Sequence, residues 1–343
     1  MRSKEMDHDV WKKLKVSEPL ITSLPKHANL MSILADHRCF AEWAFLNHSQ
    51  LSFVPDAKGV GWLDFHKPHS RHHYRLTRTE YWSRETAMAN RLDIVDFLTN
   101  AIDQDRYAYL MLDTYCIPAY KMNYQTYHIY HDCFIHGYDL RNKTFYASDF
   151  FNVSYGQESL PFEQVKSAFY SAHPMDDPFD GFTGVQLIRV NEAETFVYDR
   201  DYCIERLKDY AESRRTNDRF RFFEETYEAL FGLAACEAQI DEIERNRSQD
   251  HALTCLKALH ILYDHKRIMS FGVGYLLQNG HIRSPLLLRE FSEIEKAAHG
   301  ARQQYMKFLM TTDEQRKRQA LDAHREILLL EKNVYPRLIA ELG

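Results

Sequence analysis

Strand-forming sequence ends at about residue 195, and this change of pattern constrains the fold more than any other feature of the chain. Before it, Tyr107-Ala108-Tyr109-Leu110-Met111-Leu112 is an apolar run of strand length, and Val185-Gln186-Leu187-Ile188-Arg189-Val190 reads as another strand. After it, apolar residues recur at helical spacing. Ile204, Leu207 and Tyr210 share one face, as do Leu253, Leu256, Leu259 and Tyr263, and Leu321, Leu328, Tyr335, Leu338 and Leu342 mark a last long helix. The pattern predicts an α+β domain with an antiparallel sheet over residues 1–195, followed by an all-α helical bundle over 196–343. Either half of the 343 residues is long enough to bury a core.

Composition excludes some partners. The net charge of -6 argues against a general nucleic-acid binder. No apolar run approaches the ~20 residues needed to span a bilayer, so no membrane partner is expected. Met1-Arg2-Ser3-Lys4-Glu5-Met6-Asp7-His8 lacks the apolar core of a signal peptide, and the expected location is the cytoplasm. The six cysteines, Cys39, Cys116, Cys133, Cys203, Cys236 and Cys255, are scattered without a C-x-x-C and read as free thiols.

Residues 1–15 read as a charged lead-in. Over 22–36, Ser23 is placed to cap a helix, Pro25 suits its first turn, and Leu30, Ile33 and Leu34 form its stripe. A short helix follows over 40–47. Residues 54–85 read as a long polar loop with one short strand, 90–103 as an amphipathic helix, the stretch after Pro161 as another helix, and 173–181 as a turn-rich loop.

The chemistry concentrates in residues 127–155. Strands are expected over 131–138 and 144–149, joined by the turn formers Asp139-Leu140-Arg141-Asn142-Lys143. His131 then opens the first strand and Asp149 ends the second, so the hairpin makes them neighbours. A carboxylate beside one imidazole nitrogen fixes the tautomer and leaves the other nitrogen for proton transfer. A His opening an apolar strand, then Gly137-Tyr138-Asp139, a short turn and an aromatic strand ending in Asp resembles the papain-type double-glycine leader peptidases. The stretch is more similar still to the N-terminal domain of the butirosin-biosynthesis protein H family. That resemblance covers roughly residues 15–190 and implies a papain-like, cysteine-peptidase-like fold. It also implies acyltransferase or amide synthase activity in antibiotic or nonribosomal peptide biosynthesis. The acyl group would come from the thioester of an acyl or peptidyl carrier protein and pass to a small-molecule amine. No further cofactor is expected. A peptidase or thioesterase, and a catalytically inactive scaffold of a peptide synthetase pathway, are the alternatives.

The resemblance breaks at the nucleophile. Papain-like catalysis uses a thiolate at a helix N-terminus, where backbone N–H groups and the helix dipole favour the anion. In the family that cysteine starts the first helix; here the matching position falls near Ser23, upstream of Asn29-Leu30-Met31. Cys39 opens the next helix. Three readings stay open: Ser23 attacks, Cys39 attacks, or the chain has no nucleophile.

Other histidines carry weaker signals. His66, His69, His72 and His73 crowd one polar loop without the carboxylate or cysteine partners of a metal site, so no metal is expected. His128 is a second contender for the base, and His136 should point away from the face shared by His131, Cys133 and Ile135. In Tyr263-Asp264-His265-Lys266-Arg267-Ile268-Met269, Asp264 and His265 read as part of a salt-linked helix surface. Residues 212–221 form a local basic patch suited to an acidic carrier protein or to plain solvation.

Overall fold

A computed structural model of the chain describes residues 10–55, 61–66, 75–151, 154–173, 183–220, 228–245 and 248–343. In chain order the elements are β1 (Trp11–Lys13), α1 (Pro25–Leu34), α2 (Phe40–Asn47), β2 (Leu51–Val54), β3 (Trp62–Phe65), β4 (Thr77–Trp82), α3 (Arg84–Ala89) and α4 (Ile94–Asp103). There follow β5 (Tyr107–Asp113), β6 (Tyr130–Asp139), β7 (Thr144–Asp149), β8 (Gly156–Pro161), α5 (Phe162–Phe169) and β9 (Val185–Val190). The last are α6 (Arg200–Ala211), β10 (Leu230–Phe231), α7 (Gly232–Arg245), α8 (Gln249–Gln278), α9 (Pro285–Thr311) and α10 (Glu314–Leu342). Two compact units result, one of residues 1–35 and 72–194, the other of 36–71 and 195–343. The sequence reading placed residues 36–71 with the sheet; they cluster instead with the helices.

The first unit is built on a seven-stranded antiparallel sheet in the order β4-β9-β5-β6-β7-β8, with β1 added beside β6. Every residue of β5 is buried, as its unbroken apolar run requires of a central strand. β6 outruns β5: its first residues pair with β5 and its last three with β1. At that crossing Gly137 has no room for a side chain, since a Cβ would lie 2.6 Å from the Lys12 carbonyl oxygen. A register shift between Ile135 and Gly137 lets β6 bend there. One face of the sheet carries Leu110, Leu112, Cys133, Ile135 and Ala147, packed against Ile94, Leu98 and Ile102 of α4 and Val165 and Phe169 of α5.

Several expectations are refined. Trp11–Lys13 pair with β6, so the lead-in is not wholly irregular. The supposed loop of 54–85 holds β3, β4 and the start of α3. α4 begins at Ile94 because the Asp93 carboxylate accepts from the Val95 and Asp96 N–H groups and caps it there. The 173–181 loop, after His173, lies outside the described residues.

The second unit is helical but not only so. Leu230–Phe231 pair with β2, which pairs in turn with β3, in a small antiparallel sheet separate from the large one. Leu321, Leu328, Tyr335, Leu338 and Leu342 are all buried along α10. The expected face of α8 is rotated: Leu253 is 46% exposed, and Cys255, Leu259 and Leu262 point inward. Among the described residues no helix is long and apolar enough to cross a membrane. Where α8 packs on α2, a Cβ on Gly272 would lie 2.0 Å from the ring of the fully buried Phe45. Gly272→Ala is therefore expected to destabilise the protein by about 1–3 kcal/mol in chemical denaturation. Gly274→Ala, whose Cβ would meet only Leu288 at 3.6 Å, serves as control and is expected to be neutral or to stabilise by up to about 1 kcal/mol.

Candidate active site

Side chains alternate along a strand, so the register of β6 decides which way His131 points. His131 pairs directly with Leu112, a core residue, and therefore lies on the α4–α5 face. Asp149 ends β7 two residues after Ala147, on the same face. There the His131 Nδ1–H donates to Asp149 Oδ2 at 2.7 Å. The Tyr120 hydroxyl donates to the same oxygen, and the Phe150 N–H donates to Oδ1 at 2.7 Å. Asp149 is fully buried, whereas the His131 side chain is 32% exposed. The carboxylate is thus tied on both oxygens at the floor of the site, and among the described residues no side chain hydrogen-bonds His131 Nε2.

The electrostatics follow from burial and charge. Burial alone would lower the His131 pKa, but the Asp149 charge and hydrogen bond, with a contribution from Asp132, outweigh it and hold the imidazole up at about 9. Burial raises the Asp149 pKa, an effect His131 partly offsets. His131 therefore carries a proton at neutral pH. Its folded-state pKa is above the ordinary 6.5, so the stability its charge contributes is fully present below pH 6.5 and is lost as pH rises to about 9. The melting-temperature advantage of wild type over His131→Gln is expected to shrink across that window, which a thermal melt series at fixed salt would measure.

Asp132 Oδ1 lies 3.6 Å from His131 Nδ1, and the ligand atoms of His131, Asp132 and Asp149 fall within 4.8 Å of one another. A cation there would have to displace two hydrogen bonds already made to Asp149 Oδ2, so the donor set fits a protonated imidazole better than a metal.

A second histidine–aspartate pair lies at the same end of the sheet. His128 Nδ1–H donates to Asp113 Oδ2 at 2.7 Å, and the Ser171 hydroxyl donates to that oxygen at 2.6 Å. The His128 ring is stacked between Tyr115, with centroids 4.1 Å apart, and His173, 4.2 Å apart. Asp113 is fully buried and the His128 side chain is 34% exposed.

Neither proposed nucleophile joins His131 by a hydrogen bond. The N-cap of α1 is Leu24, without a side-chain cap, so Ser23 is not the cap the sequence suggested; Pro25 does occupy the first turn. α1 also meets the sheet from its other face: Asn29 Oδ1 accepts from the Tyr155 hydroxyl at 2.6 Å, and Tyr155 packs on Phe150, which alternates with Asp149. Cys39 precedes α2 in the second unit, 5% exposed, its backbone N–H donating to His37 Nδ1 at 3.1 Å. Cys133 shares the His131 face but is wholly buried, and burial pushes its thiol well up.

Elsewhere the sequence reading needs correction. His66 is buried against Phe231, and burial lowers its pKa to about 3; His69, His72 and His73 lie outside the described residues. Asp264, His265 and Lys266 are not a helix surface but are almost wholly buried in the second unit. Arg214, Arg215 and Arg219 of the supposed basic patch are each ion-paired, to Glu212, to Asp218 and Glu228, and to Asp209. His136 does point away from Cys133 and Ile135, beside Phe134. Tyr120, Asp113 and Ser171 had no sequence signal, because each acts through a contact made only by the fold. No protein-family model matches the chain, and no curated protein matches it significantly.

Proposed function

We propose that this chain transfers an acyl group from a carrier-protein thioester to an amine, as an acyltransferase or amide synthase of specialised-metabolite biosynthesis. On this reading the first unit is a papain-like domain related to the butirosin-biosynthesis protein H family, working in the cytoplasm. The observation that carries the proposal is the His131–Asp149 pair, with the 2.7 Å bond on Nδ1 and Nε2 left to a reactant. A thioester is already activated, so the site need only position the amine, stabilise the oxyanion and manage protons. An imidazole held up at about 9 is suited to protonating a departing thiolate at neutral pH and is a poor resting base for a serine or for water. That disfavours a serine nucleophile and a thioesterase that activates water directly. Among the described residues no hydroxyl or thiol is hydrogen-bonded to His131, and on this reading the amine attacks the thioester directly. The connection carrying Tyr120 and His128 exposes Met122, Tyr127 and Ile129, apolar surface suited to an acyl chain.

Direct transfer makes a firm prediction. The Ser23→Ala, Cys39→Ala double variant is expected to keep thioester-to-amine turnover within about threefold of wild type, and intact mass spectrometry should find no acyl adduct. An adduct on either residue, with turnover lost in the double variant, would establish covalent catalysis instead. Absence of turnover with every thioester and amine tried would leave the scaffold reading.

A further inference from the structure

We propose that the outer edge of β4 is a dimer interface, where a second copy of this chain adds its own β4 antiparallel to the first and continues the sheet. This interface is independent of the acyl-transfer reading. β4 pairs with β9 on one side over all six residues and, among the described residues, with no strand on the other. An open edge presents a row of N–H and C=O groups ready to pair with another chain, and proteins ordinarily blunt it with Pro, Lys, a bulge or a very short strand. β4 has none of these. Thr77-Arg78-Thr79-Glu80-Tyr81-Trp82 is rich in β-branched and aromatic residues and keeps one register throughout. β8, the opposite edge, opens on Gly156 and closes on Pro161, as suits a strand that stays unpaired. On β4, Tyr81 and Trp82 are 50% and 38% exposed.

The charges choose the occupant. Trp82 meets Phe97 of α4 edge to face, so Arg78, Glu80 and Trp82 lie on the α4 side of the sheet. Across the β4–β9 pair Arg78 is set directly opposite Arg189, a like charge. Arg189 donates to the Gln104 carbonyl oxygen at the end of α4, and Arg106 pairs with Glu80 at 2.7 Å. Arg78 is exposed and, among the described residues, has no carboxylate within ion-pair reach. A two-fold axis that joins two antiparallel edges into one sheet stands perpendicular to that sheet. Residues facing each other across it then come from the same side of their sheets, and the axis passes between one residue of β4 and its own copy. Centred on Arg78 it opposes Arg78 to Arg78, and centred on Glu80 it opposes Glu80 to Glu80. Centred on Thr79 it opposes Arg78 to Glu80 twice, Thr77 to Tyr81 twice, and Thr79 to Thr79. Opposite charges, a β-branched residue beside an aromatic one, and paired threonines are the cross-strand combinations that stabilise a sheet. An acidic peptide would answer Arg78 alone; a second copy answers Arg78 and Glu80 together.

Sedimentation velocity on the full chain tests the interface. A six-residue strand pair stands at the small end of specific contacts, so the expected dissociation constant is about 1–100 μM. Arg78→Glu and Glu80→Arg each turn two attractive pairs into two repulsive ones, and each should raise that constant at least about tenfold. Mixed in equal amounts, the two variants present opposite charges to each other and should associate about as tightly as wild type. Neither misfolding nor loss of the Glu80–Arg106 pair can produce that rescue. The register is read separately by mild oxidation, with wild type as the control for the native thiols. Thr79→Cys lies on the axis and should give a disulfide-linked dimer, while Arg78→Cys, which faces Glu80 of the other copy, should not. Wild type that stays monomeric up to about 500 μM would overturn the proposal. So would a dimer that neither charge reversal weakens, or a mixture that associates no better than either variant alone.

Discussion

Asp149→Asn is expected to slow the proposed acyl transfer by about 10²–10⁴-fold. The native carboxylate accepts three hydrogen bonds, from His131, Tyr120 and Phe150. An asparagine has one carbonyl oxygen, so its amide N–H groups must face a donor wherever it turns. It also removes the negative charge that holds the His131 pKa up at about 9. Burial, which lowers the His131 pKa, is then opposed only by Asp132, so the pKa falls. The variant should therefore both turn over slowly and show a His131 titration, by nitrogen NMR, moved to well below its wild-type position. Tyr120→Phe removes one donor and keeps the charge, so its rate should stay much closer to wild type. An Asp149→Asn enzyme with an unchanged His131 titration would show that Asp149 does not set the protonation of the site.

The second large effect is expected in the helical unit. Lys266 Nζ lies 2.8 Å from Glu331 Oε1 and donates to the Tyr210 hydroxyl at 2.7 Å, with both charged side chains all but excluded from water. His265 Nε2–H donates to the Ser49 carbonyl oxygen at 2.9 Å, which turns its Nδ1 toward Lys266 at 3.3 Å. Burial, with the nearby Lys266 charge, drives the His265 pKa well down. Removing one partner leaves a buried charge without its counterion. Lys266→Met and Glu331→Leu are each expected to cost about 3–5 kcal/mol. The double variant removes both charges together and should cost far less than the sum, a coupling that a double-mutant cycle in denaturant reads directly. Additive losses would mean that the two side chains contribute through packing and not as an ion pair.

The sequence by itself determined the local elements where the signal is local. An unbroken apolar run of strand length, rich in aromatic residues, reads as a strand buried on both faces, and Tyr107–Asp113 is one. Turn formers between two aromatic strands close a hairpin, and that hairpin makes the strand ends carrying His131 and Asp149 neighbours; the register of β6 then puts the two side chains on one face. The tertiary structure decided what depends on contacts distant in the chain. Nothing in Tyr120 or Ser171 marks them as aspartate partners, and nothing near Ser23 shows that α1 meets the sheet from the face opposite the pair. Asp264-His265-Lys266 has the composition of a solvated surface, yet Lys266 is buried because Glu331 and Tyr210 converge on it from helices 65 and 56 residues away in sequence. Composition records the cost of burying a charge; only the packed structure supplies the partner that offsets it.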